Sequence, residues 1–284
     1  MTVPGGLGST DRVLAPFGRR RCQVSENEPE GVYRLVGVED PAGPLPLPGQ
    51  FYMLAAVEGW GGGVDARPYL ARAFSVCRVR GGRLDFLVED IGPGTHRLAR
   101  LTPGRDEVWL AGPLGVGFTL PNELTANGEM ARALLVGGGA GVAPLVIWAE
   151  TLPAAGCEDL ALLGFRDAAH CDAARLFPGA VEVTTDDGSV GHRGFVTELL
   201  ESELDRHPDN VVYACGPQPM LEAVRRICEA RSVPAQLALE EAMACGFGAC
   251  FGCVVHTRSG YLRICVDGPV MTAADLDESW LTHQ

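Results

Sequence analysis

Nowhere do the 284 residues contain an apolar run near the roughly 20 residues that a helical membrane span requires. Positive charge is also in short supply. With 23 Lys plus Arg against 36 Asp plus Glu, the formal net charge is −13, which works against binding nucleic acid or an anionic membrane surface. Such a charge is that of a well-solvated surface. No apolar segment follows Arg19, Arg20 and Arg21, so no secretory signal is visible, and residues 1–19 read as a disordered lead. Also missing are a nucleophile elbow, a P-loop and any internal repeat. The six histidines (His96, His170, His192, His207, His256, His283) fall at no metal-ligand spacing. Without an export signal, the ten cysteines suggest reduced thiols and ligands rather than a disulfide frame, and the expected location is cytoplasmic.

What is present is a folded chain, 46% hydrophobic and 21% charged, long enough for about two domains and a smaller third. Near its end stands Glu241-Ala-Met-Ala-Cys-Gly-Phe-Gly-Ala-Cys-Phe-Gly-Cys253, completed by Cys265. Cys245, Cys250, Cys253 and Cys265 read C-x4-C-x2-C-x11-C, the kind of spacing that holds a [2Fe-2S] cluster. Two irons bridged by sulfides need four thiolates around one small object. Gly246, Gly248 and Gly252 let the backbone approach closely and aim N–H groups at the sulfurs. Four cysteines also suit structural zinc, but zinc sites favour close pairs, and only one such pair is clear here.

Residues 20–125 alternate short apolar runs with turns. Strands are expected at Gly31–Val38, Gln50–Ala56, Ala73–Val79, Arg83–Val88 and Glu107–Leu110, with a helix at Thr95–Leu101, as in a small antiparallel barrel. Gly112–Gly117 reads as a linker. Within the barrel, Arg72-Ala-Phe-Ser75 offers a guanidinium that can fork onto a pyrophosphate and a strand that can meet a flat heterocycle. Gly94-Thr95 stands at a helix start, where free N–H groups favour phosphate. Ordinary alternatives are a surface ion pair for Arg72 and a plain helix cap for Gly94-Thr95.

Residues 126–232 switch to strand–helix alternation, implying a parallel sheet with helices on both faces. Its first strand, Ala133–Val136, runs into Gly137-Gly-Gly-Ala-Gly-Val-Ala-Pro144, placing Gly137, Gly138, Gly139 and Gly141 where such a sheet binds nucleotide phosphates. The full G-x-G-x-x-G pattern is not met, because Pro144 replaces the third glycine. Further strands are expected at Leu160–Phe165, Val181–Thr184 and Val211–Cys215, and helices at Phe195–Leu204 and Pro217–Ala230. Cys215-Gly216-Pro217 ends a strand at the same sheet edge, which makes Cys215 a candidate for the nicotinamide site and for hydride-transfer geometry. Asp186 and Asp187 would repel a 2′-phosphate and favour NAD over NADP, while Arg166 leaves NADP open. In residues 233–284, Leu237–Leu239 reads as a strand leading into the cluster loop. Val254–Thr257 and Tyr261–Cys265 read as a hairpin that carries the fourth cysteine back.

Taken together, R-A-F-S, G-T, the glycine run, T-T-D-D-G-S at Thr184–Ser189, Y-A-C-G-P-Q-P-M-L at Tyr213–Leu221 and the cysteine motif resemble the ferredoxin–NADP reductase superfamily. More closely, they resemble the electron-transfer subunits of class 1B dihydroorotate dehydrogenase, over about residues 20 to 275. The resemblance implies a multi-domain β plus α/β fold: an FAD-binding antiparallel barrel, a doubly wound NAD-binding domain and a small [2Fe-2S] domain. It implies FAD contacts from Arg72, Ala73, Phe74, Ser75, Leu87, Val88, Glu89, Gly94 and Thr95. NAD contacts would come from the glycine run, Asp187, Cys215, Gly216 and Pro217, and cluster ligation from the four cysteines. Electrons from an FMN-containing catalytic partner, in a heterotetramer of two plus two, would pass through the cluster and FAD to NAD⁺ as dihydroorotate is oxidised. Similar subunits serve NADH-dependent ferredoxin:NADP oxidoreductases, sulfide dehydrogenases and hydrogenase-linked diaphorases, which remain alternatives. Glu89 stands where the family commonly has a basic residue, and Ala73 where proline is frequent.

Overall fold

The computed structural model describes residues 18–61, 68–277 and 280. The lead expected at 1–19 lies outside the described residues except for Gly18 and Arg19, as does the middle of the glycine-rich stretch Glu58–Ala71. No helix among the described residues is long and apolar enough to cross a membrane.

The first half of the chain forms a seven-stranded antiparallel sheet that curls on itself. It comprises β1 (Arg20–Glu30), β2 (Tyr33–Glu39), β3 (Phe51–Ala56), β4 (Arg72–Ser75), β5 (Arg78–Arg80), β6 (Arg83–Glu89) and β7 (Glu107–Leu114). The spatial order is β4-β3-β7-β1-β2-β6-β5. The outermost strands β4 and β5 are joined only by Val76 and Cys77, whose N–H groups donate to the carbonyls of Gln50 (3.2 Å) and Asp85 (2.9 Å). That join draws the two edges together, as in a barrel. It also breaks the single strand expected at Ala73–Val79, while β7 runs on through part of the expected linker.

No strand was expected at β1, because R-R-C-Q-V-S-E-N-E-P-E has few apolar residues. Neighbours on both sides hold it in place, with a bulge between Val24 and Glu26. Buried Asn27 explains part of its polarity. Its Nδ2 donates to the carbonyls of Ala99 (3.1 Å) and Leu101 (2.6 Å), satisfying the end of helix α1 (Pro93–Ala99).

Strand β3 is buried on both faces. Tyr52, Leu54 and Ala56 join Val24, Val36, Phe86 and Val108 inside the barrel. Phe51 and Met53 join a second core that also holds Cys253, Val255, Ile264 and Cys265. At about 1.5–3 kcal/mol per large apolar side chain buried, this sharing fixes the cysteine segment against the barrel.

After the short helix α2 (Pro121–Leu124) comes a second seven-stranded sheet. Its strands are β8 (Ala133–Gly138), β9 (Asp159–Phe165), β10 (Val181–Thr185), β11 (His192–Arg193), β12 (Val211–Cys215), β13 (Ala235–Ala238) and β16 (Val270–Thr272), in the order β11-β10-β9-β8-β12-β13-β16. All neighbouring pairs are parallel except β13–β16. Helix α3 (Ala143–Thr151) covers one face, and α4 (Val196–Arg206) and α5 (Gln218–Arg231) cover the other. Along β8, Ala133 and Leu135 pack with Leu145 and Val146 of α3. Leu134 and Val136 pack with Leu200 of α4 and Val224 of α5. Burial on both faces accounts for the unbroken apolar run. The order of strands reverses between β8 and β12, which pair directly, so the ligand crevice of such a sheet opens at their carboxyl ends.

Strands β14 (Val254–Thr257) and β15 (Gly260–Arg263) form the expected hairpin. It stops at Arg263, two residues short of Cys265, which sits instead in the single turn α6 (Ile264–Asp267). Asp267 starts that turn by accepting from the Arg263 N–H (3.0 Å). The chain then returns through β16 to the second seven-stranded sheet, a return that three residues of strand do not announce in the sequence.

Candidate functional site

A cavity of about 310 Å³ lies where the barrel, the parallel sheet and the start of the cysteine segment meet. It falls within the range of cofactor clefts. Strand β4 contributes Arg72, Ala73, Phe74 and Ser75, β6 contributes Leu87 and Glu89, and α1 contributes Thr95. Val88 points the other way, into the barrel core, as strand alternation requires. The opposite wall is made by Ala140, Gly141 and Pro144 and by Leu239, Glu240, Glu241 and Met243. The sequence marked Leu239 as a strand end and Glu241 and Met243 as the approach to the cysteines, but their place in the cavity wall depends on how β13 meets the barrel.

The guanidinium of Arg72 lies across Gly94, where a Cβ would stand 2.7 Å from Arg72 Nε. Arg72 Nη1 donates to the Leu70 carbonyl (2.6 Å), and its charged carbon sits 5.8 Å from the Trp60 ring centre. Thr95 braces the turn, its hydroxyl accepting from the N–H groups of Ile91 (3.0 Å) and Gly92 (2.9 Å). Apolar side chains (Phe51, Phe74, Leu87, Met243) beside a guanidinium and a serine are the donor set that a flat ring on a pyrophosphate handle calls for. The residues fit a flavin nucleotide.

The nucleotide crevice is as tight as its glycines suggest. Gly137 pairs with Cys215 across β8 and β12. A Cβ on Gly138 would meet Met220 Sδ at 2.7 Å, and one on Gly141 would meet Gly216 Cα at 2.5 Å. Gly139 has φ +54 and no neighbour within 4 Å of a Cβ, so its surface is left open. Pro217 precedes α5, against Gly138. Cys215 is buried, and burial pushes its thiol well above the ordinary value, with Glu240 Oε1 3.9 Å away adding to the shift. Glu240 opens onto the cavity, and desolvation raises its carboxyl. Asp187, in the loop after β10, accepts from Ser189 Oγ (2.6 Å) and N (2.9 Å), which holds its carboxylate below the usual range.

Among the described residues no three ligand-type side chains converge on one point. The cysteines instead lie in one nest: the Cys265 N–H donates to Cys253 Sγ (3.5 Å), and Cys245 lies near both Cys250 and Cys265. Burial disfavours the Cys245 thiolate, but the N–H groups of Phe247, Cys250 and Ala249 outweigh it and bring the thiol down to about 6. Burial, then the neighbouring Cys253, push Cys265 up to about 12. Gly246 (φ +78) and Gly248 (φ +85) are both obligatory: a Cβ would stand 2.5 Å from Met53 Cγ at the first and 2.6 Å from Val266 Cγ2 at the second. This N–H-lined, glycine-hugged nest of thiols fits an iron–sulfur cluster. Cys250 is exposed, with Phe247 and Phe251 exposed beside it, while Cys253 and Cys265 are buried.

Comparison with known proteins accords with this geometry. The iron–sulfur cluster binding domain of dihydroorotate dehydrogenase B matches residues 240–277. The dihydroorotate dehydrogenase B (NAD(+)) electron transfer subunit of Clostridium acetobutylicum is 35% identical over 255 residues, covering 87% of this chain and 96% of that protein. Its counterpart from Bacillus caldolyticus is 38% identical over 272 residues, covering 92% and 99%. Among solved structures, one of an NADH-dependent reduced ferredoxin-NADP oxidoreductase superposes with a TM-score of 0.75 at 24% identity, covering 93% of this chain and 92% of that one. A ferredoxin reductase of carbazole 1,9a-dioxygenase gives 0.63 at 20% identity, covering 76% and 66%, a likeness of fold.

Proposed function

Because the chain belongs to the family of electron-transfer subunits of NAD⁺-linked dihydroorotate dehydrogenase B, we propose that it conducts electrons from a catalytic partner subunit through a [2Fe-2S] cluster and FAD to NAD⁺. It is an oxidoreductase subunit that works with that partner. The partner we assign is the FMN-bearing subunit that oxidises dihydroorotate to orotate, two copies of each chain forming the complex. The functional division is 20–125 for flavin, 126–232 for nucleotide and 233–284 for the cluster, the last segment lending β13 and β16 to the nucleotide sheet.

One observation carries this reading. A single cavity is walled by the R-A-F-S strand, the glycine loop and Met243, and Met243 is two residues from Cys245. Two residues span at most about 7 Å of chain, so cluster and cavity are near neighbours. A flavin bound there supplies the exchange between single electrons and a hydride, and the cluster moves one electron at a time. In this assignment Arg72 grips the pyrophosphate beside Gly94. Ala73, Phe74, Ser75, Leu87 and Glu89 border the ring, and Thr95 holds the phosphate turn. Gly137, Gly138, Gly139 and Gly141, with Gly216 and Pro217, form the nicotinamide nucleotide's crevice. Asp187 takes the ribose end, and Cys215 packs against the nicotinamide. The exposed edge at Cys250, Phe247 and Phe251 faces the partner.

The related reading as a small subunit of an NADH-dependent ferredoxin:NADP oxidoreductase rests on likeness of fold at 24% identity, against 35–38% identity to the dihydroorotate-linked subunits. Anaerobically purified protein should carry FAD, iron and acid-labile sulfide, and NADH should bleach its flavin. Added to the partner subunit, it should make NAD⁺ reduction depend on dihydroorotate. Protein free of iron and sulfide would refute the cluster, and a complex without dihydroorotate-driven NADH formation would refute the partner.

A further inference from the structure

Electrons arriving singly through an iron–sulfur cluster bring no proton, yet they leave for NAD⁺ as a hydride, two electrons and one proton (2 e⁻ + H⁺ → H⁻). Each pair of electrons therefore needs one proton carried from water into the cavity. This requirement rests on reading the cavity as the flavin site.

Glu89 lines the cavity, and its Oε1 lies 3.7 Å from His170 Nε2. On the far side of the ring, His170 Nδ1 is 2.7 Å from Asp167 Oδ1. Asp167 also accepts from the Ala169 N–H (2.9 Å), so its carboxylate is fixed; the contact with His170, foremost, holds it below the usual range. With Nδ1–H directed at Asp167, Nε2 is the atom that faces Glu89. The ring stands edge-on to Tyr33, with 6.0 Å between centroids. Tyr33 is fully buried, sits opposite Glu89 in the β2–β6 register, and its hydroxyl has no hydrogen-bond partner. The groups facing this cluster are Glu89 from β6, Tyr33 from β2, Arg166, Asp167, Cys171 and Asp172 from the segment after β9, and Asp187 from the loop after β10. A gap of 3.7 Å is one that a small ring rotation or a bridging water closes, and the Tyr33 hydroxyl offers such a water a further partner.

Side-chain exposure is 35% at Asp167, 15% at His170 and 25% at Glu89, so water reaches the cluster while Glu89 borders the cavity. Among the described residues, His96, His192 and His256 pair with Asp90, Glu198 and Asp277, none of them in the cavity wall. Glu240 also opens on the cavity, but its contact is the buried Cys215 thiol, which leads inward. Histidine is the side chain whose ordinary titration lies nearest neutrality, the property a proton carrier needs.

We infer that Asp167, His170 and Glu89 form the proton entry to the flavin cavity. The imidazolium Nε2–H bond breaks as an O–H bond forms at Glu89 Oε1. Glu89 delivers that proton at the cavity, and the neutral Nε2 takes its replacement from water. Asp167 stays ionised and positions the ring.

The test uses the full chain loaded with FAD and cluster, reduced anaerobically in stopped flow with a pH-indicator dye, FAD content being measured first. His170→Ala should slow proton uptake at least about 10-fold with FAD content, thermal midpoint and the rate of cluster reduction unchanged, and Glu89→Gln should slow it likewise when compared at equal FAD occupancy. Added imidazole should restore uptake in His170→Ala, Glu89→Asp should keep it, and Asp167→Asn should slow it. Wild-type uptake in both His170→Ala and Glu89→Gln, or failure of the imidazole rescue, overturns the proposal. So does slow uptake in Glu240→Gln with normal uptake in His170→Ala. A wild-type chain that binds no FAD refutes the flavin reading instead.

Discussion

Replacing Gly141 with alanine should disconnect the nicotinamide nucleotide while sparing the rest of the relay. A Cβ there would stand 2.5 Å from Gly216 Cα, 2.7 Å from Gly216 N and 2.9 Å from Cys215 C. All three are backbone atoms at the end of β12, which is hydrogen-bonded to β8 on one side and β13 on the other. No side chain can swing aside. Ordinary contact begins at 3.4 Å, so the loops must part by 3.4 − 2.5 = 0.9 Å. Overpacking of this kind costs about 1–3 kcal/mol, less than the roughly 5–15 kcal/mol that holds a domain together. The variant should therefore fold and retain FAD, iron and sulfide. A misplacement of about 1 Å near reacting groups costs on the order of 100-fold in rate. Stopped-flow reduction of the flavin by NADH, with a parallel titration of NADH affinity, measures this. Gly139→Ala is the comparison: its methyl meets no protein atom within 4 Å, but φ +54 costs about 1–2 kcal/mol, so any larger loss reports collision with the nucleotide. Flavin reduction at the wild-type rate and affinity in Gly141→Ala, or loss of FAD and cluster along with it, would sink the reasoning.

Cys253→Ser and Cys250→Ser should both deplete iron and labile sulfide, but only the former should also lower the thermal midpoint, because Cys253 lies in the core with Met53 and Ile264; equal midpoints would contradict this. Cys215→Ala should slow transfer from NADH to the flavin and leave the cluster's EPR signal unchanged, and unaltered transfer would remove the thiol from the hydride site. Glu222 is buried on α5, accepting from Arg225 Nε (2.8 Å), Arg226 Nε (2.6 Å) and Trp280 Nε1 (3.1 Å). Burial raises its carboxyl, but these bonds outweigh that and leave it below the ordinary value. The stabilisation is thus complete above about pH 4.3, the unfolded value, and is lost as pH falls through the lower folded value. Glu222→Gln should cost about 3–5 kcal/mol near neutrality and flatten the acid loss, read from denaturant midpoints at several pH values; an acid limb as steep as before would count against it.

The features legible in the sequence are those whose chemistry is local. Cys245, Cys250 and Cys253 lie within nine residues, Gly137–Pro144 within eight, and R-A-F-S within four. Each must therefore act as a unit wherever the chain takes it. Strand β1 was hidden because its neighbours, not its own side chains, hold it extended, and β16 because three residues show no period. The division of Leu87, Val88 and Glu89 between cavity and core needed the register of β6. His170 and Glu89 are 170 − 89 = 81 residues apart, on opposite sides of the cleft between the two sheets. A histidine that fits no metal spacing carries no local sign of such a contact. The Glu240–Cys215 contact likewise exists only because β12 and β13 run side by side.

Strands β13 and β16 make the iron-binding end of the chain a poor candidate for a detachable cartridge. Cutting it off at its amino side would bare β12 as a raw sheet margin, with Cys215 and the glycine loop uncovered and a template left for unwanted strand pairing. An engineer wishing to swap in a different electron inlet would do better to graft new loops between β13 and β16 than to exchange the whole segment.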